Sequence, residues 1–143
     1  MDWLPKLFSS TWTSSAVANE LKEGQQKGYD VPDTNIYNWL IIAEPRALPS
    51  EWLSLDLGAG ELAVMALALE NPNRIVILDD ALARRTAKVA GLTVWGTLKV
   101  LLEAKSQGLT ESIRPLVHRL EETGIWLSDD IRQRILTLAG EKI

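Results

Sequence analysis

The sequence predicts an α/β fold with a mostly parallel sheet and a C-terminal helical extension. Strand and helix patterns alternate through the middle of the chain, and only helix patterns follow Trp95. The aliphatic run Ile75–Leu78 has no polar alternation, which is typical of a strand covered on both faces in a parallel sheet. We therefore expect residues 1–143 to form one domain, with residues 110–143 as its helical extension.

The first half of the chain predicts two helices and two strands. A short amphipathic helix is expected over residues 1–8, and a short strand is expected around Trp12. Ser14 or Ser15 is suited to cap a helix that runs to about Lys22, with Gly24 and Gly28 closing it. The apolar segment Trp39–Ala43 predicts a second buried strand.

The second half predicts five helices and two strands. The segment from Glu61 to Leu69 is apolar on all sides after its first residue, which indicates an enclosed helix. The later elements follow from caps and glycine stops. They are a strand at Ile75–Leu78, a helix from Asp80 to Gly91, a strand at Leu92–Trp95, and helices starting at Thr97, Thr110 and Ser128, of which the first two end at Gly108 and Gly124.

Composition and charge exclude several function classes. The chain has no cysteine, which excludes disulfides, thiolate zinc sites and thiol nucleophiles, and its single histidine, His118, gives little scope for histidine chemistry. Fifteen basic residues against nineteen acidic ones give a net charge of -4, so nucleic-acid binding would need a local basic patch. The longest apolar runs are too short to span a membrane, and we expect a cytoplasmic protein that does not bind membranes.

Three acidic residues are candidates for a metal site. Asp79 and Asp80 follow a predicted strand, and Glu61 lies in the first turn of the buried helix. Clustered carboxylates repel one another unless a cation neutralises them, and their hard oxygen atoms suit Mg²⁺ or Mn²⁺. Such a site can activate water for phosphodiester hydrolysis. Each acid taken alone also fits a simpler role at a helix N-terminus.

Basic residues on the predicted helices are candidates for nucleic-acid contacts. Arg84 and Lys88 lie four residues apart on one helix face, and Lys99 and Lys105 extend a basic rim. A solvated helix face is the alternative interpretation. The tryptophans lie mostly in apolar surroundings and are expected to pack in the core, and His118 is expected to be exposed without a functional role.

A glycine motif offers a different function. Gly58–Ala63 fits the loose G-x-G-x-x-A form of a dinucleotide fingerprint, and Asp79 and Asp80 lie about 20 residues further on, where a ribose-binding acid is expected. The fingerprint should follow a buried strand, however, and Trp52–Leu57 is short and carries polar residues. In the alternative interpretation, the glycines only shape the start of a helix and bind no nucleotide.

Five segments of the chain together carry a family resemblance: Val17–Leu21, Gly60–Ala63, Leu78–Arg84, Gly96–Gly108 and Leu127–Asp130. With them, the chain from about Trp3 to Glu141 resembles a prokaryotic family of predicted nucleic-acid-binding proteins with a PIN-like domain. The resemblance implies a three-layer α/β/α fold with a parallel sheet, whose carboxylates hold Mg²⁺ or Mn²⁺ for RNA cleavage. Many PIN domains are toxins of toxin-antitoxin pairs. The resemblance also implies that Glu20, Glu61 and Asp80, with Asp79, occupy the acidic positions.

The chain departs from this family at its start. Family members begin with a central strand that ends in an aspartate, whereas this sequence starts where their first helix ends. By that comparison the central strand and one metal-ligand aspartate are missing. The strands that would flank the central strand then have unpaired backbone groups. Either the true start of the protein lies upstream of Met1, or the protein is a degenerate relative. For the chain as given, we expect rearranged sheet pairing or a homo-oligomer that covers the gap.

Three functions follow as hypotheses. The first is a PIN-like domain derived from a Mg²⁺- or Mn²⁺-dependent ribonuclease, with RNA and an antitoxin protein as partners. Its acidic cluster is Glu20, Glu61, Asp79 and Asp80, and Arg84, Lys88 and Lys99 contact nucleic acid. The second is a degenerate, non-catalytic scaffold for protein interaction or oligomerisation. The third is a nucleotide-binding α/β domain that uses Gly58, Gly60 and Asp80.

Overall fold

The computed structural model describes residues 3–124 and 127–141. Within these ranges the chain forms seven α-helices and four short strands, together with 3-10 turns at Thr34–Ile36 and Ser50–Trp52. The order is α1 (Leu4–Leu7), β1 (Thr11–Thr13), α2 (Ser15–Gln26), β2 (Leu40–Ile42), α3 (Ala59–Glu70), β3 (Ile75–Ile77), α4 (Ala81–Val89), β4 (Thr93–Trp95), α5 (Thr97–Ser106), α6 (Arg114–Glu122) and α7 (Asp129–Leu138).

The α/β fold class is confirmed, with parallel strand pairing as expected. The strands form two separate parallel pairs instead of one sheet: β1 pairs with β2 in the register Thr11 to Leu40, and β3 pairs with β4 in the register Ile75 to Thr93. Among the described residues no strand pairing joins β1 to β3. Within the described part of the chain, β1 and β3 therefore each keep one edge without a strand neighbour.

Two compact units make up the described chain. Leu4–Trp95 holds all four strands and helices α1 to α4, and the remaining helices form the second unit together with Trp3. The core of the first unit is built on the apolar helix α3, with β3 and α4 packed around it. The predicted single domain, with residues 110–143 as an extension, stays a prediction. The buried core residues of the first unit are Trp52, Met65, Ala66, Ala68, Val76, Leu78, Ala83 and Ala87.

Two predicted buried strands are less covered than expected. Ile41 and Ile42 of β2 are 47% and 48% exposed, and in β3 the side chains of Ile75 and Ile77 are 37% and 39% exposed. Val76 between them is buried against α3 and α4. An aliphatic run predicts that a strand is buried on both faces. Helices α3 and α4 cover the face of β3 that carries Val76, and the face with Ile75 and Ile77 is less covered.

Several helix ends differ from the sequence prediction. Helix α2 is capped by Ser14, as predicted, but it continues past Lys22 to Gln26 with Gly24 in its interior. Gly28, with a φ of 88°, then closes the segment, which suits a residue without a Cβ. Helix α5 takes Gly96 as its N-cap, and not Thr97 as predicted.

The second unit packs around Leu101, Ile113, Val117 and Leu136. Its helix α6 begins at Arg114 and not at Thr110 as predicted. The backbone N–H groups of Ile113 and Arg114 instead donate to the carboxylate of Glu141, at 2.8 and 3.2 Å. A distant acid therefore sets the start of this helix.

Glu141 is the most heavily bonded carboxylate of that unit. It accepts further hydrogen bonds from the Ser112 hydroxyl at 2.6 Å and from Lys105 Nζ at 3.0 Å. Burial alone would raise the pKa of Glu141, but the hydrogen bonds from Ile113, Ser112 and Lys105 outweigh it and lower the pKa to about 2. The charged form is therefore the one that holds α6 in place.

Other predictions about single residues hold. Asp80 and Ser128 cap α4 and α7, and His118 is exposed and lies 3.1 Å from Glu122. Trp52 is buried in the core as expected, but Trp12, Trp39 and Trp95 are only half-buried, and Trp126 lies outside the described residues. No described helix is long and apolar enough to cross a membrane.

Candidate functional site

The predicted acidic residues line one groove in the unit Leu4–Trp95. The groove has a volume of about 550 Å³ and is bordered by β1, α2, one side of α3 from Gly60 to Ala68, and β3 with the two residues that follow Leu78. Glu20, Glu61, Asp79 and Asp80 all lie on its wall. The fold thus brings together four carboxylates that are up to 60 positions apart in the sequence.

Glu20 reaches this groove by docking on the start of α3. Its Oε1 atom accepts a hydrogen bond of 3.0 Å from the backbone N–H of Gly60, which lies in the first turn of α3. The N-cap of that helix is Gly58, which has no side chain to satisfy the free N–H groups of the turn. Glu20 supplies the missing acceptor from a different helix.

This contact leaves little room for a side chain at position 60. A Cβ atom at position 60 would lie 2.8 Å from Oε2 of Glu20 and 3.0 Å from a methyl group of Val17. Gly60 is buried and has no positive φ, so its lack of a side chain serves close approach and not an unusual backbone conformation. The sequence motif Gly58–Ala63 therefore shapes the docking of Glu20 on α3.

Glu61 and Asp80 also serve as helix N-terminal acceptors. Glu61 Oε1 accepts from the backbone N–H of Gly58 at 3.1 Å, and Asp80 Oδ2 accepts from the N–H of Ala83 at 2.9 Å. The positive end of the helix dipole favours each of these carboxylates. The simpler structural role foreseen for single acids is thus present at both positions.

The dinucleotide motif lacks its structural context. Among the described residues, the segment before Gly58 holds a 3-10 turn at Ser50–Trp52 and further turns, but no strand. A fingerprint of this type needs a strand that delivers the glycines to a phosphate. The nucleotide-binding hypothesis loses its main support here.

The carboxylates do not form a metal site in their present arrangement. Their oxygen atoms have the chemistry that suits Mg²⁺ or Mn²⁺. Within residues 3–124 and 127–141, however, no group of three or more acidic or histidine side chains lies close enough to hold a metal ion. Metal binding at this groove therefore requires these carboxylates to move closer together.

The basic candidates fall into different parts of the chain. Arg84 and Lys88 both lie on α4, and Arg84 Nη1 donates to the carbonyl oxygen of Leu78 at 2.8 Å, just before the two aspartates. Lys99 belongs to the other compact unit, where it forms an ion pair of 3.1 Å with Glu103. The nucleic-acid role of these residues stays a prediction.

Sequence analysis missed two features of the groove. The guanidinium carbon of Arg74 lies 3.6 Å from the centroid of the Trp12 ring, which links the start of β3 to the middle of β1. The hydroxyl of Thr11 is buried, and the described residues offer it no hydrogen-bond partner. Residues of such distant elements give no sequence signal of their contact.

The chain matches a known protein family. The family model described as a PIN domain (DUF3368) matches residues 1–141. No curated protein and no solved structure matches the chain significantly. Because the match spans nearly the whole sequence, and the fold is α/β with short parallel strands, this chain belongs to the PIN-domain family.

Proposed function

We propose that this protein binds RNA with the help of Arg84, Lys88 and Lys99 and cleaves it at the acidic groove as a Mg²⁺- or Mn²⁺-dependent ribonuclease. One observation carries the proposal: Glu20, Glu61, Asp79 and Asp80 line the same groove, although they come from three separate segments. Membership of the PIN family supports a nuclease-like, nucleic-acid-related function. A bound ion would supply the activation of water for cleavage of the phosphodiester.

The second candidate is a non-catalytic PIN scaffold. It is favoured by a specific observation, since Glu20, Glu61 and Asp80 each accept a backbone hydrogen bond at a helix start. An acid kept only for this purpose would satisfy the helix without any metal. The two candidates differ in whether the groove takes up a divalent cation.

We expect Mn²⁺ to raise the melting temperature of the wild-type protein, and Asp80→Asn to abolish this shift. A ligand that binds the folded state stabilises it by about 2.7 kcal/mol at a hundredfold excess over its Kd. Asparagine still caps a helix well, so Asp80→Asn should preserve α4 and remove only the charge. The measurement is a thermal-shift titration with MnCl₂ and, in parallel, MgCl₂.

Asp130→Asn is the matched control, because Asp130 is an exposed acid in the first turn of α7, in the other unit. Its response to Mn²⁺ should equal that of the wild type. If neither cation shifts the wild-type protein, the metal-dependent proposal is wrong and the scaffold candidate stands. The same assay with NAD or ATP tests the nucleotide-binding alternative, which predicts a shift at millimolar concentration.

We further propose that the protein acts with partners in the cytoplasm. An antitoxin protein is the partner that the family resemblance implies, and a homo-oligomer is proposed because a second copy could cover the unpaired strand edges. Sedimentation velocity of the purified chain tests self-association, and co-purification with the product of a neighbouring reading frame tests the antitoxin. A monomer over the whole concentration range would rule out the homo-oligomer.

A further inference from the structure

Arg84 is bonded to the segment that carries two of the groove's carboxylates. This segment, Leu78–Asp80, connects the end of β3 to the start of α4. Nη1 of Arg84 donates to the carbonyl oxygen of Leu78 at 2.8 Å. The backbone N–H of Arg84 donates to the carbonyl oxygen of Asp80 at 2.9 Å. One residue of α4 thus holds both ends of the segment.

The guanidinium of Arg84 supports this segment from the side away from the groove. The N–H of Leu78 donates to the carbonyl oxygen of Trp95 in β4 at 2.9 Å. The N–H and C=O of one strand residue point to the same edge, so Arg84 meets Leu78 on the edge that faces β4. Leu78, Asp79 and Asp80 line the groove, whereas Arg84 is not among the residues that line it.

The side chain of Arg84 does more than complete the start of α4. Asp80 already caps this helix, because its Oδ2 atom accepts from the N–H of Ala83 at 2.9 Å. The guanidinium serves a different acceptor, the carbonyl group of Leu78, a residue that is only 5% exposed. A buried carbonyl group needs a partner, and a charged donor forms a stronger hydrogen bond than a neutral one. The path of the backbone before α4 therefore depends on Arg84.

The backbone path matters most for the two aspartates. Glu20 and Glu61 reach their hydrogen-bond donors, the N–H groups of Gly60 and Gly58, with long side chains that have several rotatable bonds. The side chains of Asp79 and Asp80 are shorter by one methylene group. The place of their carboxylates on the groove wall is therefore set mainly by the backbone of Leu78–Asp80.

We propose that Arg84 is a positioning residue, whose guanidinium fixes the backbone of Leu78–Asp80 and thereby sets where the carboxylates of Asp79 and Asp80 lie. This role rests on the proposed function, in which these carboxylates take part in RNA cleavage. It is separate from the contact between Arg84 and RNA, since Arg84 acts here through the aspartates. A displacement of about 1 Å of such groups lowers a rate by about a hundredfold.

Backbone dynamics of the protein without RNA or added metal test the role of the guanidinium directly. Arg84→Met keeps an unbranched apolar side chain and removes the donor and the charge. We expect the ¹⁵N order parameters of Asp79 and Asp80 to fall from about 0.85, typical of rigid backbone, toward the flexible range below about 0.6. Arg85→Met is the control, because Arg85 is an exposed neighbour with the same charge, and it should keep wild-type values. Unchanged order parameters in Arg84→Met would overturn the proposal.

RNA cleavage kinetics separate positioning from RNA contact. With an RNA oligonucleotide and MnCl₂, Arg84→Met should lower kcat by about tenfold or more, and by a larger factor than it raises KM. Loss of an RNA contact alone would raise KM and leave kcat unchanged, and this result would overturn the proposal. Arg84→Lys keeps the charge and a donor with different geometry, so it should recover part of kcat.

Two further outcomes remain decisive. If Arg84→Met does not fold, Arg84→Lys replaces it in both measurements, with smaller effects of the same sign expected, and wild-type values in both would overturn the proposal. If the wild-type protein cleaves no RNA, the proposed function fails. The order parameters of Asp79 and Asp80 then still decide whether Arg84 fixes this segment.

Discussion

Glu141→Ala is expected to lower the free energy of unfolding of the helical unit by about 2–4 kcal/mol. The substitution leaves the N–H groups of Ile113 and Arg114 without their acceptor at the start of α6. It also removes the partner of Lys105, whose side chain is only 22% exposed. Urea unfolding of the full chain, followed by circular dichroism and tryptophan fluorescence, measures the effect.

The same contact predicts a loss of stability in acid. Because the pKa of Glu141 is lowered to about 2 in the folded protein, from an ordinary value of 4.5, its contribution is complete above pH 4.5. The contribution is lost as the pH falls from 4.5 toward 2. In Glu141→Gln the free energy of unfolding should therefore fall less steeply between pH 4.5 and pH 2 than in the wild type. At neutral pH this variant should lose less stability than Glu141→Ala.

Glu122→Gln serves as the control for both measurements. Glu122 pairs with His118 on the exposed surface of α6, where ion pairs contribute about 0–1 kcal/mol. Its unfolding curve should therefore stay close to that of the wild type. If Glu141→Ala is equally harmless, Glu141 does not hold the start of α6.

Gly60→Ala is expected to destabilise the unit Leu4–Trp95 by about 1–2 kcal/mol and to displace Glu20 from the groove. The new methyl group would lie 2.8 Å from the Glu20 carboxylate and 3.0 Å from Val17. Glu20 must then move away, and the loss of its hydrogen bond to the Gly60 N–H outweighs the higher helix propensity of alanine, which alone would favour the change by about 1 kcal/mol. Urea unfolding and the Mn²⁺ thermal shift, which should diminish, measure the two effects.

Two variants separate crowding from helix propensity. Gly24 lies in the interior of α2. A Cβ atom at this position would lie 3.5 Å from a methyl group of Val31, an ordinary contact distance, so Gly24→Ala should be neutral or stabilising. In the background of Glu20→Ala, Gly60→Ala should cost clearly less than in the wild type. An equal cost in both backgrounds would show that Glu20 is not the obstacle.

Local chemistry explains which elements could be predicted. The caps Ser14, Asp80 and Ser128 act within three residues of their own position, so their hydrogen bonds depend on neighbouring sequence alone. The start of α6, by contrast, depends on an acid that lies 27 positions after Arg114. No local pattern at Thr110 or Arg114 reports that acceptor.

The site shows the same division between local and distant contacts. The position of Asp79 and Asp80 after a strand could be predicted, because the strand is an aliphatic run. Docking of Glu20 on Gly60 spans 40 positions, and the family resemblance singled out Glu20 while its partner stayed unknown. The exposed Ile75 and Ile77 show why strand burial was overestimated: hydrophobicity does not report which neighbours are present.

The central claim is that the acidic groove is where a divalent cation binds, and Mn²⁺ itself can report the location. In ¹⁵N-labelled protein, substoichiometric Mn²⁺ broadens the amide resonances of residues near the ion. The account predicts that Gly60, Glu61, Asp79 and Asp80 broaden first, and that Asp80→Asn removes this selectivity. Broadening centred on Asp129 and Asp130, or uniform broadening without any preferred residues, would contradict it.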